Sequence, residues 1–297
     1  MASSKRISSP FIRSADPQKW LNFNHPYGLS IDQDELFVAD MGNNRVLLWN
    51  KVPTGSETPD VVLGQPDLTS PPVADCSHFS EPRVVFSAGG KLIVSDWFNH
   101  RILIWNSVPK KTDPGNPVAA DLILGNPDCR PDAAGSTKHT FNEPRGVWSD
   151  GTRLVVADTG NNRVLIWTHF PTGPTDDADI VLGTGKAGAG RQQFNGPYGV
   201  DSDGTRLFVS DWHNNRVLMW ETFPVVRGEE PAKVFGQRNF SRWGSNGTAR
   251  QEDTKTPPPP SASGLSAPQG VYYRNNQLWV TDTDNNRILM FEVKPKK

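Results

Sequence analysis

Five aspartates and five arginines recur at fixed distances along the chain, and they are the residues best suited to chemistry. In each copy an Arg follows an Asp by five positions, with at least one Asn between them. The pairs are Asp40 and Arg45, Asp96 and Arg101, Asp158 and Arg163, Asp211 and Arg216, and Asp282 and Arg287. Such carboxylates could hold a metal ion, and such guanidinium groups could hold an anion. A residue pair that is present in every copy more often stabilises the fold than forms a functional site. We therefore interpret the Asp as an acceptor for turn N–H groups and the Arg as its partner.

These pairs belong to a longer repeat, which defines the elements that must position them. Each copy begins at a proline that precedes the Asp by 14 positions and an aromatic residue by 23. The prolines are Pro26, Pro82, Pro144, Pro197 and Pro268, and the aromatics are Trp49, Trp105, Trp167, Trp220 and Phe291. Apolar runs such as ELFVAD and RVLLWN are separated by turn residues, and a fourth run, such as VVLGQ, contains a Gly. The pattern predicts four short antiparallel strands in each copy.

Four-stranded repeats are typical of the blades of a β-propeller, which pack face to face around a channel. A solenoid is the competing architecture, and it requires distinctive capping repeats at its ends. The last copy lacks a fourth strand, and the 25 residues before Pro26 supply about the missing length. We therefore predict an all-β fold, a single β-propeller of five four-stranded blades. The N-terminal segment around Phe11–Ser14 would close the ring as the outer strand of the last blade, and six blades are the alternative.

The widest interval between copies contains residues 242–264, which are polar and rich in Pro and Ser. This composition predicts a loop insertion between the fourth and fifth blades, not a further blade. The whole chain, residues 1–297, is accordingly predicted to form one propeller domain.

The run Pro-x-Gly followed by VADxxNNRVLxW resembles the NHL-repeat family of β-propellers. The resemblance extends from about Phe11 to Glu292 and implies the fold. It does not imply one activity, because similar members include RNA-binding modules, protein-interaction modules, sensor domains and an amidating lyase, and related propellers include sugar lactonases. The chain departs from the family in its longer repeat and in Val84, where the family prefers Gly.

Function is expected where the copies differ, on the loops that surround the lead proline and the Asp-x-x-Asn turn. Tyr, Arg or Gln follows the proline, and Trp follows the Asp in two copies. The candidate binding residues are Tyr27, Arg83, Arg145, Tyr198, Gln269, Trp97, Trp212 and His213. They suit a polar or anionic ligand, or a peptide or sugar that stacks on aromatic rings. In the alternative interpretation, Glu81 and Glu143 neutralise the two arginines and the Trp rings pack against neighbouring loops.

We predict a non-enzymatic propeller that binds a small molecule, peptide or protein at one face of the channel. The alternative is a metal-dependent hydrolase or lyase at the channel mouth, similar to the lactonases or the amidating lyase. Only three histidines, His25, His100 and His213, fall near the predicted face, and they occupy different motif positions. We therefore assign no catalytic residue, no metal ligand and no cofactor.

Charge and composition narrow the class of partner. The chain has 31 Lys+Arg against 32 Asp+Glu, whereas nucleic-acid binders are markedly basic. No apolar run approaches the roughly 18 residues of a membrane span. We expect a soluble, cytoplasmic monomer that binds neither nucleic acid nor membrane. The two cysteines, Cys76 and Cys129, provide no disulfide framework, and the sequence leaves open whether they pair.

Overall fold

Each copy of the repeat folds into one antiparallel sheet, because Gly, Asn and Asp place tight turns between its short apolar runs. The computed structural model describes residues 22–70, 78–111, 118–128, 133–247 and 260–294. Within these residues four sheets have four strands each and one sheet has three, always in chain order. The chain is an all-β protein with the five blades of a β-propeller, so the predicted fold class and blade number are confirmed.

The first two blades share a hydrophobic core that includes Phe37, Leu48, Leu92 and Trp105. Blade one contains β1 to β4, at Pro26–Asp32, Glu35–Asp40, Arg45–Trp49 and Val61–Leu63. Blade two contains β5 to β8, at Pro82–Ala88, Lys91–Asp96, Arg101–Trp105 and Leu122–Gly125. A single 3-10 turn follows the second strand of each blade, at Met41–Asn43 and Trp97–Asn99.

The next three blades repeat this plan. Blade three contains β9 to β12, at Pro144–Ser149, Leu154–Asp158, Arg163–Trp167 and Ile180–Leu182. Blade four contains β13 to β16, at Pro197–Ser202, Leu207–Asp211, Arg216–Trp220 and Lys233–Phe235. Blade five contains β17 to β19, at Pro268–Arg274, Gln277–Asp282 and Arg287–Glu292. The 3-10 segments are Thr159–Asn161, Trp212–Asn214, Ser245–Gly247 and Thr283–Asn285.

The chain divides into two compact units, Met1–Ala134 with blades one and two, and Gly135–Lys297 with blades three to five. The predicted closing strand around Phe11–Ser14 and both cysteines lie outside the described residues. The described parts of the predicted loop, 242–247 and 260–264, contain one 3-10 segment and one isolated bridge at Gly264. The single domain over 1–297 stays a prediction. None of the helical segments in the described ranges is long and apolar enough to cross a membrane.

The repeated Asp and Arg form a clamp in every blade, buried in blades one to four and partly exposed at Arg287, so their structural interpretation is confirmed. The Asp Oδ1 accepts the N–H of the residue two positions before the lead proline, at 2.6–2.7 Å. The Asp Oδ2 accepts from the Arg Nε at 2.6–2.8 Å. The Arg fork then donates to carbonyls of the preceding connection, as Arg163 does to Ser136 O at 2.7 Å. The clamp therefore fixes the loop that leads into each blade.

The residue before the clamp arginine adopts a left-handed conformation, which explains the second Asn of the motif. Its φ lies between 51° and 54° in all five blades, with His100 taking the Asn position in blade two. The Asn side chain also links blades, because Asn44 Oδ1 accepts the Glu81 N–H at 2.9 Å. Asn162 and Asn215 bind the N–H groups of Gly196 and Ala267 in the same way.

The Gly of the Pro-x-Gly motif allows the first strands of neighbouring blades to approach closely. A Cβ added to Gly146 would lie 2.3 Å from the Tyr198 carbonyl oxygen, and one added to Gly199 would lie 2.4 Å from the Gln269 oxygen. Both distances are shorter than any side chain tolerates, so only glycine fits. This close packing sets the spacing between the residues that follow the lead prolines.

Candidate functional site

The pairing of the first two strands brings the lead proline next to the motif Asp, as in Pro26 with Asp40 and Pro82 with Asp96. The residues after the proline and those of the 3-10 turn therefore lie at the same end of each blade, as predicted. Two groups of side chains form there. The Arg83 cluster consists of Tyr27, Glu81, Arg83, Trp97 and Phe98. The Arg145 cluster consists of Glu143, Arg145, Tyr198, Trp212 and His213.

In the Arg83 cluster, two aromatic rings contact one guanidinium group. The Arg83 Cζ atom lies 4.9 Å from the centroid of the Tyr27 ring and 4.3 Å from that of Trp97. Arg83 Nη2 also donates to Glu81 Oε2 at 3.0 Å. These contacts fit cation–π attraction and charge pairing, so the Arg83 charge is compensated by its neighbours.

The outer part of the Arg83 cluster is open to solvent. Tyr27 is 38% exposed and Phe98 is 47% exposed, whereas the Arg83 side chain is largely buried. Phe98 packs against Trp97 with ring centroids 5.7 Å apart. The 3-10 turn fixes its backbone, since the Phe98 N–H donates to Ser80 O at 3.2 Å. The cluster therefore presents two aromatic rings and the Glu81 carboxylate, with the guanidinium group beneath them.

The Arg145 cluster also contains Glu, Arg, Tyr and Trp, with His213 in place of Phe98, in a more closed arrangement. The Arg145 Cζ atom lies 4.5 Å from the Tyr198 ring centroid and 5.3 Å from that of Trp212. The Tyr198 and Trp212 rings meet edge to face at 5.5 Å, and His213 stacks on Trp212 at 4.0 Å. Tyr198 is only 5% exposed. Burial, with a smaller effect of the Arg145 charge, lowers the pKa of His213.

The structure thus brings seven of the eight predicted residues into two clusters. Gln269 lies instead at the start of β17, where its carbonyl oxygen accepts the Ser210 hydroxyl at 2.6 Å. The predicted neutralisation is present, because Glu81 pairs with Arg83, and Glu143 Oε2 lies 3.7 Å from Arg145 Nη2. Phe98 was not among the predicted residues. It occupies the motif position of His213, and that equivalence was the signal that could have identified it.

The metal-dependent alternative requires several ligands that converge on one point. In the described part of the chain, no three His, Cys, Asp or Glu side chains are grouped so that they could hold a metal ion.

The fifth blade matches a known family of repeats. The NHL repeat model matches residues 265–291, the region that contains the Asp282–Arg287 clamp. The other four blades have the same clamp with the same spacing. The chain is an NHL-repeat β-propeller. The predicted family is therefore confirmed.

Two solved structures match this NHL-repeat propeller at low sequence identity, and the first of them shares its fold. A chain of a nidogen/laminin complex matches with a TM-score of 0.54 and 14% identity, over 92% of this chain and 78% of that chain. Virginiamycin B lyase from Staphylococcus aureus matches with a TM-score of 0.44 and 14% identity, over 91% of this chain and 85% of that chain. A search of curated proteins gave no match.

Proposed function

We propose that this NHL-repeat propeller is a non-enzymatic binding module and that its contact surface is the Arg83 cluster. The ligand would be a peptide segment of a protein partner. One observation carries the proposal: Tyr27 and Phe98 remain exposed beside a guanidinium group held between the Tyr27 and Trp97 rings.

Rigid, exposed aromatic rings suit protein recognition. Contact residues that dominate binding energy are enriched in Tyr, Trp and Arg, and they are surrounded by groups that exclude water. Arg83 holds the Tyr27 ring in place before any partner arrives, so little side-chain entropy remains to be lost on binding. The Glu81 carboxylate at the edge of the rings could accept hydrogen bonds from peptide N–H groups.

The geometry disfavours a free anion as the ligand. A guanidinium group that recognises a carboxylate or phosphate presents its planar fork to that ligand. The Arg83 fork is instead stacked against two rings, and Nη2 is bound to Glu81. An incoming anion would have to displace Glu81 and would meet its negative charge. A peptide that contacts the exposed rings avoids both costs.

The Arg145 cluster has a different role in this proposal. Its tyrosine is buried, and its rings pack mainly on one another. It would stabilise the contact between blades three and four. The chain in the nidogen/laminin complex shows that a protein of this fold occurs with a protein partner, a precedent that concerns the fold only.

The proposal is tested by selecting short random peptides that are displayed on phage and bind the purified chain. Binding of the selected peptides is then measured by calorimetry with the unmodified protein, Tyr27→Ala and Phe98→Ala. Loss of a central aromatic contact typically costs about tenfold or more in affinity. Val225→Ala is the matched control, because Val225 is 74% exposed and lies outside the cluster.

Selected peptides should lose affinity for Tyr27→Ala and Phe98→Ala and keep it for Val225→Ala. The proposal is overturned if selection yields no specific peptide, or if the selected peptides bind all three variants equally well.

A further inference from the structure

The sequence contains two acceptor motifs for an N-linked oligosaccharide, in which Ser or Thr follows an Asn by two positions and the residue between them is not Pro. They are Asn239-Phe240-Ser241 and Asn246-Gly247-Thr248, and both follow the outer strand β16 of blade four. A modified Asn in a folded protein must keep its amide nitrogen and the attached sugar in solvent, because an oligosaccharide is bulky and polar. The contacts of each Asn side chain therefore decide which motif suits an acceptor.

Asn239 lies in an exposed tight turn. Its Oδ1 atom accepts the Ser241 N–H at 3.1 Å and the Ser241 hydroxyl at 2.9 Å. Both residues are exposed to solvent. Because Oδ1 is held inside the turn, the planar amide directs the Asn239 Nδ2 atom away from it. The turn thus presents the amide nitrogen to an enzyme that would modify it.

The residue in the middle of this turn fixes it to blade four. The Phe240 carbonyl oxygen accepts from the clamp residue Arg216 at 2.5 Å, and the Arg191 Cζ atom lies 4.3 Å from the Phe240 ring centroid. The first strand of blade four contacts the first strands of blades three and five, and all three blades belong to the unit Gly135–Lys297. The exposure of Asn239 is therefore a property of this unit alone.

The equivalent turn of blade one shows what distinguishes Asn239. There Asp67 Oδ1 accepts the N–H and the hydroxyl of Thr69, each at 2.7 Å. The Leu68 carbonyl oxygen accepts from the clamp residue Arg45 at 2.9 Å. Asp and Asn thus serve the turn equally well through Oδ1, and the turn itself belongs to the fold. Only Asn239 adds an amide nitrogen that can carry a sugar.

Asn246 is held inside the fold instead. Its Nδ2 atom donates to Asn285 Oδ1 at 3.4 Å, and Asn285 Nδ2 donates to Asn246 Oδ1 at 2.7 Å. The Asn246 N–H also donates to Leu265 O at 2.8 Å. A sugar on Nδ2 would have to displace Asn285, which binds the clamp residue Asp282 at 2.8 Å. The Asn246 motif therefore does not suit a modified chain with this fold.

We infer that Asn239 is an acceptor for an N-linked oligosaccharide. In the reaction, Asn239 Nδ2 forms a bond to the anomeric carbon of the sugar, and the bond from that carbon to the phosphate of a lipid-linked sugar diphosphate breaks. The amide loses one proton, and the lipid diphosphate leaves with the electron pair. This reaction takes place on exported chains, so the inference departs from the cytoplasmic location expected from the sequence. It does not depend on the proposed function of the Arg83 cluster.

The test uses the full chain, directed into the secretory pathway of cultured animal cells by an added leader peptide. The secreted protein should carry one oligosaccharide, detected as an increase in mass that peptide N-glycosidase removes. Asn239→Asp should abolish the increase and keep the turn, as Asp67 does in blade one. Ser241→Ala, which keeps Asn239 but removes the motif, should abolish it as well.

Two further variants are matched controls. Asn246→Gln should leave the increase in mass unchanged, whereas Asp67→Asn completes the motif in the turn of blade one and should add a second oligosaccharide. Thermal unfolding of each secreted variant shows whether the fold is retained. The inference is overturned if the unmodified chain carries no oligosaccharide, or if Asn239→Asp carries as much as the unmodified chain. It is also overturned if Asn246→Gln abolishes the increase, or if Asp67→Asn adds nothing.

Discussion

The Arg83 and Arg145 clusters share Glu, Arg, Tyr and Trp, with Phe98 in one and His213 in the other, yet one is open and the other is closed. Tyr27 and Tyr198 occupy the same motif position, but their exposed fractions are 38% and 5%. Tyr198 packs on Trp212 of its own blade, whereas blade one has Met41 where blade four has Trp212. A tyrosine is thus buried where its own blade supplies the second ring. The different turn residue, Met41 in place of Trp212, thus accompanies the difference between an exposed ring and a packed one.

The largest expected difference between the clusters concerns the two tyrosines. Tyr198→Ala should lower the free energy of unfolding by about 3 kcal/mol, because it removes a buried ring. Tyr27→Ala should cost about 1 kcal/mol or less, because the ring is already partly in water. Urea denaturation measures both values, and Tyr198→Phe serves as the control that keeps the ring. Equal losses for the two alanine variants would show that the clusters do not differ in packing.

The two arginines should differ less than the tyrosines. Arg145→Ala should cost about 2 kcal/mol, since it removes a desolvated guanidinium group from between two rings. Arg83→Ala should cost about 1 kcal/mol, because one of its two rings is partly hydrated. Arg→Lys at each position keeps the charge but loses the planar stack, so it separates stacking from ion pairing. A larger loss at Arg83 than at Arg145 would reverse the comparison.

The smallest expected effect depends on pH and belongs to the Arg145 cluster alone. The pKa of His213 is lowered by burial, so the unfolded chain binds the proton more readily than the folded chain. The stability contributed by neutral His213 is therefore present above the ordinary pKa of His and is lost as the pH falls below it. His213→Gln should lack this loss. Denaturation of both proteins at several pH values provides the measurement, and parallel pH profiles would contradict it.

The sequence contained enough information for the fold but not for the accessibility of the site. Five prolines and five Asp–Arg pairs at fixed distances define the blades, because each spacing corresponds to one pair of strands. The motif also placed Tyr27 and Arg83 at one end of the blades. It could not show that Tyr27 is open and Tyr198 closed, because that difference depends on a through-space contact with Trp212.

The state of Arg83 illustrates the same limit. Glu81 lies two positions away, so the sequence allowed both a free cation and a neutralised one. Only the three-dimensional arrangement shows Arg83 bound to Glu81 and stacked on two rings. Likewise, Val217 is buried because residues of blade five cover it. Whether a neighbouring blade covers a side chain depends on how the blades pack, and the residues around it in the sequence do not show it.

The clamp also defines which stretch of chain must be duplicated together for a new blade to keep all its contacts. Arg163 binds the carbonyl of Ser136, and Arg216 binds that of Ala189, so each arginine secures a strap of chain far upstream of itself. A gene duplication that began at the lead proline would copy the arginine without the upstream segment whose carbonyl groups it binds. A graft or duplication that begins in the upstream strap would transfer the clamp intact, and recombination of these propellers should therefore favour that boundary.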